Sequence, residues 1–172
     1  MLIGLCANFL TGKNDMTNIK SILIIEDEEI DRIALRRYLT SEKPDVDIME
    51  SYNCADGFSA MTKNDFDCIL LDYQLPDGDG IEFLQKLMLS DVKCPPVLFL
   101  TGQGDELLAV EALKSGAADY IPKDILSASR LNQSIDNATR IHQLENRAKD
   151  AETKLTSSEE KYRTIVEKIS DL

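Results

Sequence analysis

The residues of this 172-residue chain best suited to chemistry are two adjacent carboxylates, Glu26 and Asp27, a third carboxylate at Asp72, a hydroxyl at Thr101 and an amine at Lys123. Each ends or follows a short apolar run: SILII, CILL, VLFL and ADYIP. Carboxylates brought together repel one another unless a cation offsets their charge, and magnesium takes hard oxygen ligands while retaining water. Mg2+ is therefore the expected cofactor, with Asp27 and Asp72 as its strongest side-chain ligands and Glu26 coordinating directly or through water. A carboxylate can also attack phosphorus, which makes Asp72 the candidate nucleophile for an aspartyl phosphate. Thr101 could donate to a phosphoryl oxygen, and Lys123 could set its ammonium beside the same negative charge. Taken singly, each residue has a blander reading as a turn, cap or solvated side chain; it is their joint placement that points to chemistry.

That placement requires particular elements. SILII is a short apolar strand, and EDEEIDRIALRRYL is a helix whose Ile30, Ile33, Ala34 and Leu39 form the expected buried stripe. DVDIME is a second strand, GFSAMTK a short helix, DCILLD a third strand and IEFLQKLML another amphipathic helix. The cycle repeats with VLFLT as strand, ELLAVEALKSG as a helix with Leu107, Leu108, Val110 and Leu113 as its apolar surface, and ADYIPKD as strand. Gly116 suits the end of that helix because glycine adopts positive φ without a clash. Five strands alternating with helices predict an α/β fold, a five-stranded parallel sheet with helices on both faces. Ligands in such folds gather beyond the carboxyl ends of the strands, where Glu26, Asp27 and Asp72 fall. In the DGDG turn, Asp79 is expected to cap the next helix, with Glu82 completing a capping box, and Asp77 to shape the loop. Asp105 is expected to cap the helix that follows it.

The composition is that of an ordinary soluble domain, 43% hydrophobic, with a formal charge of -12 that gives no attraction for nucleic acid. The opening LIGLCANFL is far shorter than the roughly 20 residues needed to span a bilayer, and polar residues follow it. A cytoplasmic protein without a membrane segment is expected, with residues 1–18 as an N-terminal extension. Cys6, Cys54, Cys68 and Cys94 lack metal-ligand spacing and read as reduced thiols.

The ordered segments IIEDEE, LLDYQLPDGDG, FLTGQGDE and GAADYIPKD closely resemble the receiver domain of response regulators, over roughly Ile19 to Arg140. The resemblance implies a flavodoxin-like receiver at 19–140 and transfer of phosphate from an upstream histidine kinase or phosphotransfer protein to Asp72. Such a domain promotes transfer to its own aspartate and is not a turnover enzyme. The resemblance further implies that Glu26 and Asp27 form the acidic metal-binding pair and that the backbone carbonyl of Gln74 completes the protein's share of magnesium coordination. Thr101 then matches the switch hydroxyl, Lys123 the phosphate-contacting amine and Tyr120 the aromatic switch. One departure stands out: proline precedes Lys123, as Pro122, and Asp124 follows it, so the Lys-Pro linkage common in the family cannot form.

Beyond the receiver, a long helix is expected to begin near Ile125, with 141–172 as a helical signalling linker. Ile141, Ala148, Leu155, Tyr162 and Ile169, with Leu144, Ala151, Ser158, Ile165 and Leu172, mark the seam of a coiled-coil homodimer. Receiver helices four and five offer a second dimer surface. TSSEE allows a new helix to start at Ser157, and SEEKYRTIVEKISDL resembles the lead-in to a PAS domain, so a downstream PAS or kinase output domain is expected. His142, in RIHQLEN, reads as a solvent-facing helical histidine.

Overall fold

A computed structural model describes the backbone of residues 19–90, 92–102 and 106–170 and, of these, all side chains but those of residues 106 and 164–170. The strands are β1 (Ser21–Ile25), β2 (Asp47–Ser51), β3 (Cys68–Asp72), the two-residue β4 (Gln74–Leu75) and β5 (Gly78–Asp79), then β6 (Val97–Thr101) and β7 (Asp119–Pro122). The helices are α1 (Glu29–Glu42), α2 (Cys54–Lys63), α3 (Gly80–Met88), α4 (Glu106–Lys114) and α5 (Ala128–Ser170), with a 3-10 turn at Lys123–Ile125. The main sheet has the order β2-β1-β3-β6-β7, and each neighbouring pair is parallel. β4 and β5 form a separate antiparallel ladder immediately after β3.

β1, β3 and β6 read as continuous apolar runs because both faces of the sheet are covered there, whereas the edge strand β2 alternates exposed and half-buried residues. Leu23, Ile25, Ile69, Leu71 and Phe99 join one core with Phe83, Leu84 and Leu87 of α3, while Ile22, Ile24, Leu70 and Leu98 join the other with Leu35 and Leu39 of α1 and Leu131 and Ile135 of α5. The expected five-stranded parallel α/β architecture is therefore present. Strand order reverses at β1, which has β2 on one side and β3 on the other. That reversal opens the crevice at the carboxyl ends of β1 and β3 in which an open α/β sheet holds its ligands.

Several helical faces differ from the expected ones. On α1 the buried residues are Arg32, Leu35 and Leu39, whereas Ile30 and Ile33 are 78% and 60% exposed. The buried guanidinium of Arg32 occupies the position hydropathy would assign to an isoleucine, because it donates to the backbone carbonyls of Glu26 and Asp27. On α4 the buried face is Ala109 and Ala112, and Leu107, Val110 and Leu113 face outward. Small side chains let this helix lie close to the sheet, so its larger residues remain on the outer face.

Boundaries moved for local reasons. α2 starts at Cys54, ahead of GFSAMTK, because the Asn53 side chain accepts the backbone N–H of Asp56 and caps the helix there. α5 starts at Ala128, after the 3-10 turn, with the Ser127 hydroxyl accepting from Arg130 N–H. No break occurs at Ser157, and the helix continues to Ser170. The TSSEE residues have ordinary helix propensities, and a capping sequence inside an established helix leaves the backbone ladder unchanged. His142 is half-buried, in a cleft of about 570 Å³ between α5 and the base of the sheet, with Lys93 and Lys149 beside it. Burial and the two lysines hold its imidazole below the ordinary value, and Glu145 opposes them. The Asp105 cap, Cys6, residues 1–18, Leu172 and the side chains of Ile165 and Ile169 lie outside the described residues.

Asp79 caps α3 as expected, accepting from Glu82 N–H at 2.7 Å. Gly116 ends α4's loop at φ 105°. Gly80, the first residue of α3, is required by close approach: a Cβ there would overlap the Asp72 carbonyl oxygen and lie 3.0 Å from the Phe99 ring. The overlap is with backbone at a site strand, which has no free end to swing away. Gly80→Ala is expected to lower stability by about 1–3 kcal/mol, the usual cost of overpacking. Urea denaturation of the two proteins measures it.

Candidate functional site

β1 and β3 are adjacent and parallel, so the residues that leave their carboxyl ends arrive side by side. One carboxylate oxygen from each of Glu26, Asp27 and Asp72 lies within 4.8 Å of the others. Glu26 is fully buried and Asp72 nearly so, while Asp27 is exposed and gives the cluster its opening to solvent. Thr101 ends β6, the next strand across, and is 2% exposed. Lys123 follows β7 at the sheet edge, and its four-carbon stem carries the ammonium back to the cluster.

The ammonium is the hub of the site. Lys123 Nζ lies 2.7 Å from Asp72 Oδ1, 2.8 Å from Glu26 Oε2 and 2.7 Å from Asp31 Oδ2. Burial alone would lower the lysine's pKa, but its bonds to Asp31, Asp72 and Glu26 outweigh that effect and hold it above the ordinary value. Asp72 Oδ2 accepts the backbone N–H of Gln74 at 2.9 Å, so both carboxylate oxygens of Asp72 are engaged. Burial raises the Asp72 pKa against the opposing pull of Lys123. Burial likewise pushes Glu26 up to about 7, with the negative charge of Asp72 adding to it and Lys123 opposing.

Arg32 and Asp31 were absent from the sequence reading. Arg32 Nη1 donates to the carbonyls of Glu26 at 2.8 Å and Asp27 at 2.6 Å, and its guanidinium lies 4.3 Å from the centre of the Tyr52 ring. It therefore holds the backbone that presents both carboxylates. The signal was a basic residue six positions after Glu26 on an acidic helix start, where any solvated arginine would look the same. Asp77 shapes the loop in a specific way: its two carboxylate oxygens accept the N–H groups of Cys54 and Ala55 at 2.7 and 2.9 Å. Asp77 thus ties the segment after Asp72 to the N-terminus of α2. Tyr120 is half-buried against the core that contains Phe99 and Leu71.

The donor set suits a hard divalent cation. Its three carboxylates present oxygens only, and Glu26 Oε2 is buried without a well-formed hydrogen bond, facing the Lys123 ammonium. A magnesium ion accepts such oxygens and completes its octahedral shell with water. Among the described residues Cys54, Cys68 and Cys94 are unpaired thiols and none belongs to this cluster.

Residues 22–136 match the response regulator receiver domain family. The chain belongs to that family. It is 34% identical over 134 residues to the transcriptional regulatory protein SrrA of Staphylococcus aureus, an alignment covering 75% of this chain. The chain spans about half the length of that relative, 54% of it. Among solved structures it resembles a response regulator receiver domain protein from Clostridium thermocellum, with a TM-score of 0.60, 27% identity and coverage of 73% of this chain and 98% of the other. It also resembles the signal receiver domain of a Vibrio parahaemolyticus protein named as a Luxo repressor, with a TM-score of 0.67, 26% identity and coverage of 76% and 97%. The Glu26, Asp27 and Asp72 cluster matches the acidic pocket in which receivers coordinate Mg2+, and it marks a receiver that signals through aspartate phosphorylation. Among the described residues no helix is long and apolar enough to cross a membrane.

The elevated Glu26 pKa has a definite consequence for stability. The folded protein holds the Glu26 proton up to about pH 7, and an unfolded chain releases it near 4.5. Unfolding therefore releases a proton between these values, and stability falls as pH rises through that window. Denaturation midpoints in EDTA should decline toward neutral pH in the wild type, and Glu26→Gln should flatten that decline.

Proposed function

We propose that Asp72 takes a phosphoryl group from a phosphohistidine donor and that the chain relays this change through its long helix. The observation that carries the reading is the convergence of Glu26, Asp27, Asp72 and Lys123 at one sheet edge. An Asp72 carboxylate oxygen forms the new bond to phosphorus as the donor's P–N bond breaks, and the donor nitrogen keeps the electron pair. Bound magnesium would supply positive charge against the transferring phosphoryl oxygens, held by Glu26, Asp27, Asp72 and the backbone carbonyl of Gln74. Lys123 stays beside Asp72 and neutralises charge on the incoming group, while the Thr101 hydroxyl donates to a phosphoryl oxygen. Arg32 keeps the Glu26–Asp27 backbone in register. Because Asp72 and Thr101 are buried, the site accepts a compact phosphoryl group and holds bulk water back from its floor.

Tyr120 acts as the aromatic partner of Thr101 in the switch; its half-buried ring and its place opposite Phe99 on the neighbouring strand support that role. The receiver is assigned to 19–140 and the signalling linker to 141–172. Packing supports this division, since Ala138 and Thr139 are buried whereas Leu155 and Tyr162 are 62% and 68% exposed. An exposed Ile141, Leu144, Leu155 and Tyr162 series at heptad spacing supports a homodimer through α5, with α4's outward Leu107 and Val110 as a second contact. Output then lies in a PAS or kinase domain downstream, and a reducing cytoplasmic setting fits the free thiols. SrrA is a transcriptional regulator, but the net charge of -12 here disfavours a direct grip on DNA by these residues.

Two measurements test this. Brief exposure to phosphoramidate and magnesium should add one phosphoryl group to the wild type by intact-mass spectrometry and none to Asp72→Ala; a folded wild type that gains nothing would move a phosphate-independent adaptor to the front. Sedimentation across a wide concentration range should show a dimer that Leu144→Glu dissociates; a monomer throughout would remove the helical dimer.

A further inference from the structure

We infer that Asp31 is a positioning residue that restrains phosphoryl acceptance by competing for the Lys123 ammonium. The inference rests on the reading of Asp72 as acceptor and Lys123 as its phosphate contact. An ammonium has three N–H donors. In this structure three carboxylates surround it at hydrogen-bonding distance, from Asp72, Glu26 and Asp31. The Asp31 contact is the well-formed hydrogen bond of the three, those to Asp72 and Glu26 being ion pairs at much the same distance, so an arriving phosphoryl oxygen has to draw the ammonium against these contacts and one of them has to weaken.

The three acceptors are not equivalent. Asp72 is the reacting group itself. Glu26 is fully buried and belongs to the acidic cluster, so water cannot take the ammonium's place beside it if Lys123 leaves. Asp31 lies on the first turn of α1, outside that cluster, and its side chain is 39% exposed. Water can replace Lys123 at Asp31 at small cost, because exposed ion pairs are individually weak. Asp31 is therefore the contact that gives way, and until it does its negative charge draws the ammonium away from the phosphoryl position and reduces the positive charge offered there.

The packing also leaves room for this parting. A cavity of about 80 Å³ lies between α1 and the start of the 3-10 turn, lined by Asp31, Ala34, Leu35, Leu100, Lys123 and Leu126. Lys123 and Asp31 form part of its wall, so the lysine stem can shift without first displacing core side chains.

The test uses the full chain with magnesium and phosphoramidate, following the initial rate of phosphoryl gain by intact mass in wild type, Asp31→Asn, Asp31→Glu and Asp72→Ala. Asparagine keeps the size and an acceptor oxygen but removes the charge, and it should raise the rate about two- to fivefold, the range expected from loss of one exposed ion pair. Glutamate restores the carboxylate and should return the rate toward wild type, which general loosening of α1 would not produce. An Asp31→Asn rate equal to or below wild type, with Asp72 labelled normally in both, would overturn the inference and leave the assignment of Asp72 standing. Phosphoryl gain in Asp72→Ala, or none in wild type, would overturn both together.

Discussion

The need to balance three converging carboxylates with a single ammonium governs the rest of this molecule. Glu26 and Asp72 are carried out of solvent by strands buried on both faces, and each would be costly to ionise there alone. Lys123 meets both, and the burial that penalises the carboxylates also strengthens their pairing with it. The balance is incomplete: Glu26 remains pushed up to about 7 and Asp72 is also raised, so the pocket retains a demand for further positive charge. A divalent cation answers that demand, and the doubly charged phosphoryl group then becomes tolerable in a site built from acids.

The surrounding structure can be understood as what keeps this arrangement in register. Parallel pairing of β1 with β3 puts the carboxylates together, and Gly80 allows α3 to start against the backbone of Asp72. Asp77 fastens the loop after Asp72 to α2, and Arg32 fastens the turn after β1 to α1. α1 is also joined to α5, through Asn132 Nδ2 donating to the Tyr38 carbonyl at 3.0 Å and through the Lys43–Asp136 ion pair at 3.0 Å. α1 thus touches the site at one end, by Asp31 and Arg32, and the long helix at the other. A change in charge at Asp72 has a short physical route to α5 through this helix as well as through the β6–β7 side of the sheet.

The apolar runs, their spacing and the acids at their ends made the α/β class, most of the strands and the convergence of Glu26, Asp27, Asp72 and Lys123 readable from sequence. Strand residues carry that information because burial on both faces demands unbroken hydrophobicity. Capping residues were readable too: Asp79 bonds three positions along its own chain, and such local geometry is written in adjacent residues. Helical faces were less legible. Hydropathy put Ile30 and Ile33 inside, yet Arg32 is buried in their stead, because a charged side chain can be stabilised by backbone carbonyls of a turn whose position pattern alone does not reveal.

Sequence by itself therefore determined which residues could do chemistry and which strands would carry them, since residue type and local burial pattern suffice for both. Tertiary structure decided how charge is shared among them. Asp31 and Lys123 are separated by most of the receiver, and their 2.7 Å contact exists only because the start of α1, just after β1, and the end of β7 emerge at the same end of one parallel sheet. Electrostatic pairing falls off over a few ångströms, so it depends on where the folded chain places each group rather than on what precedes or follows it.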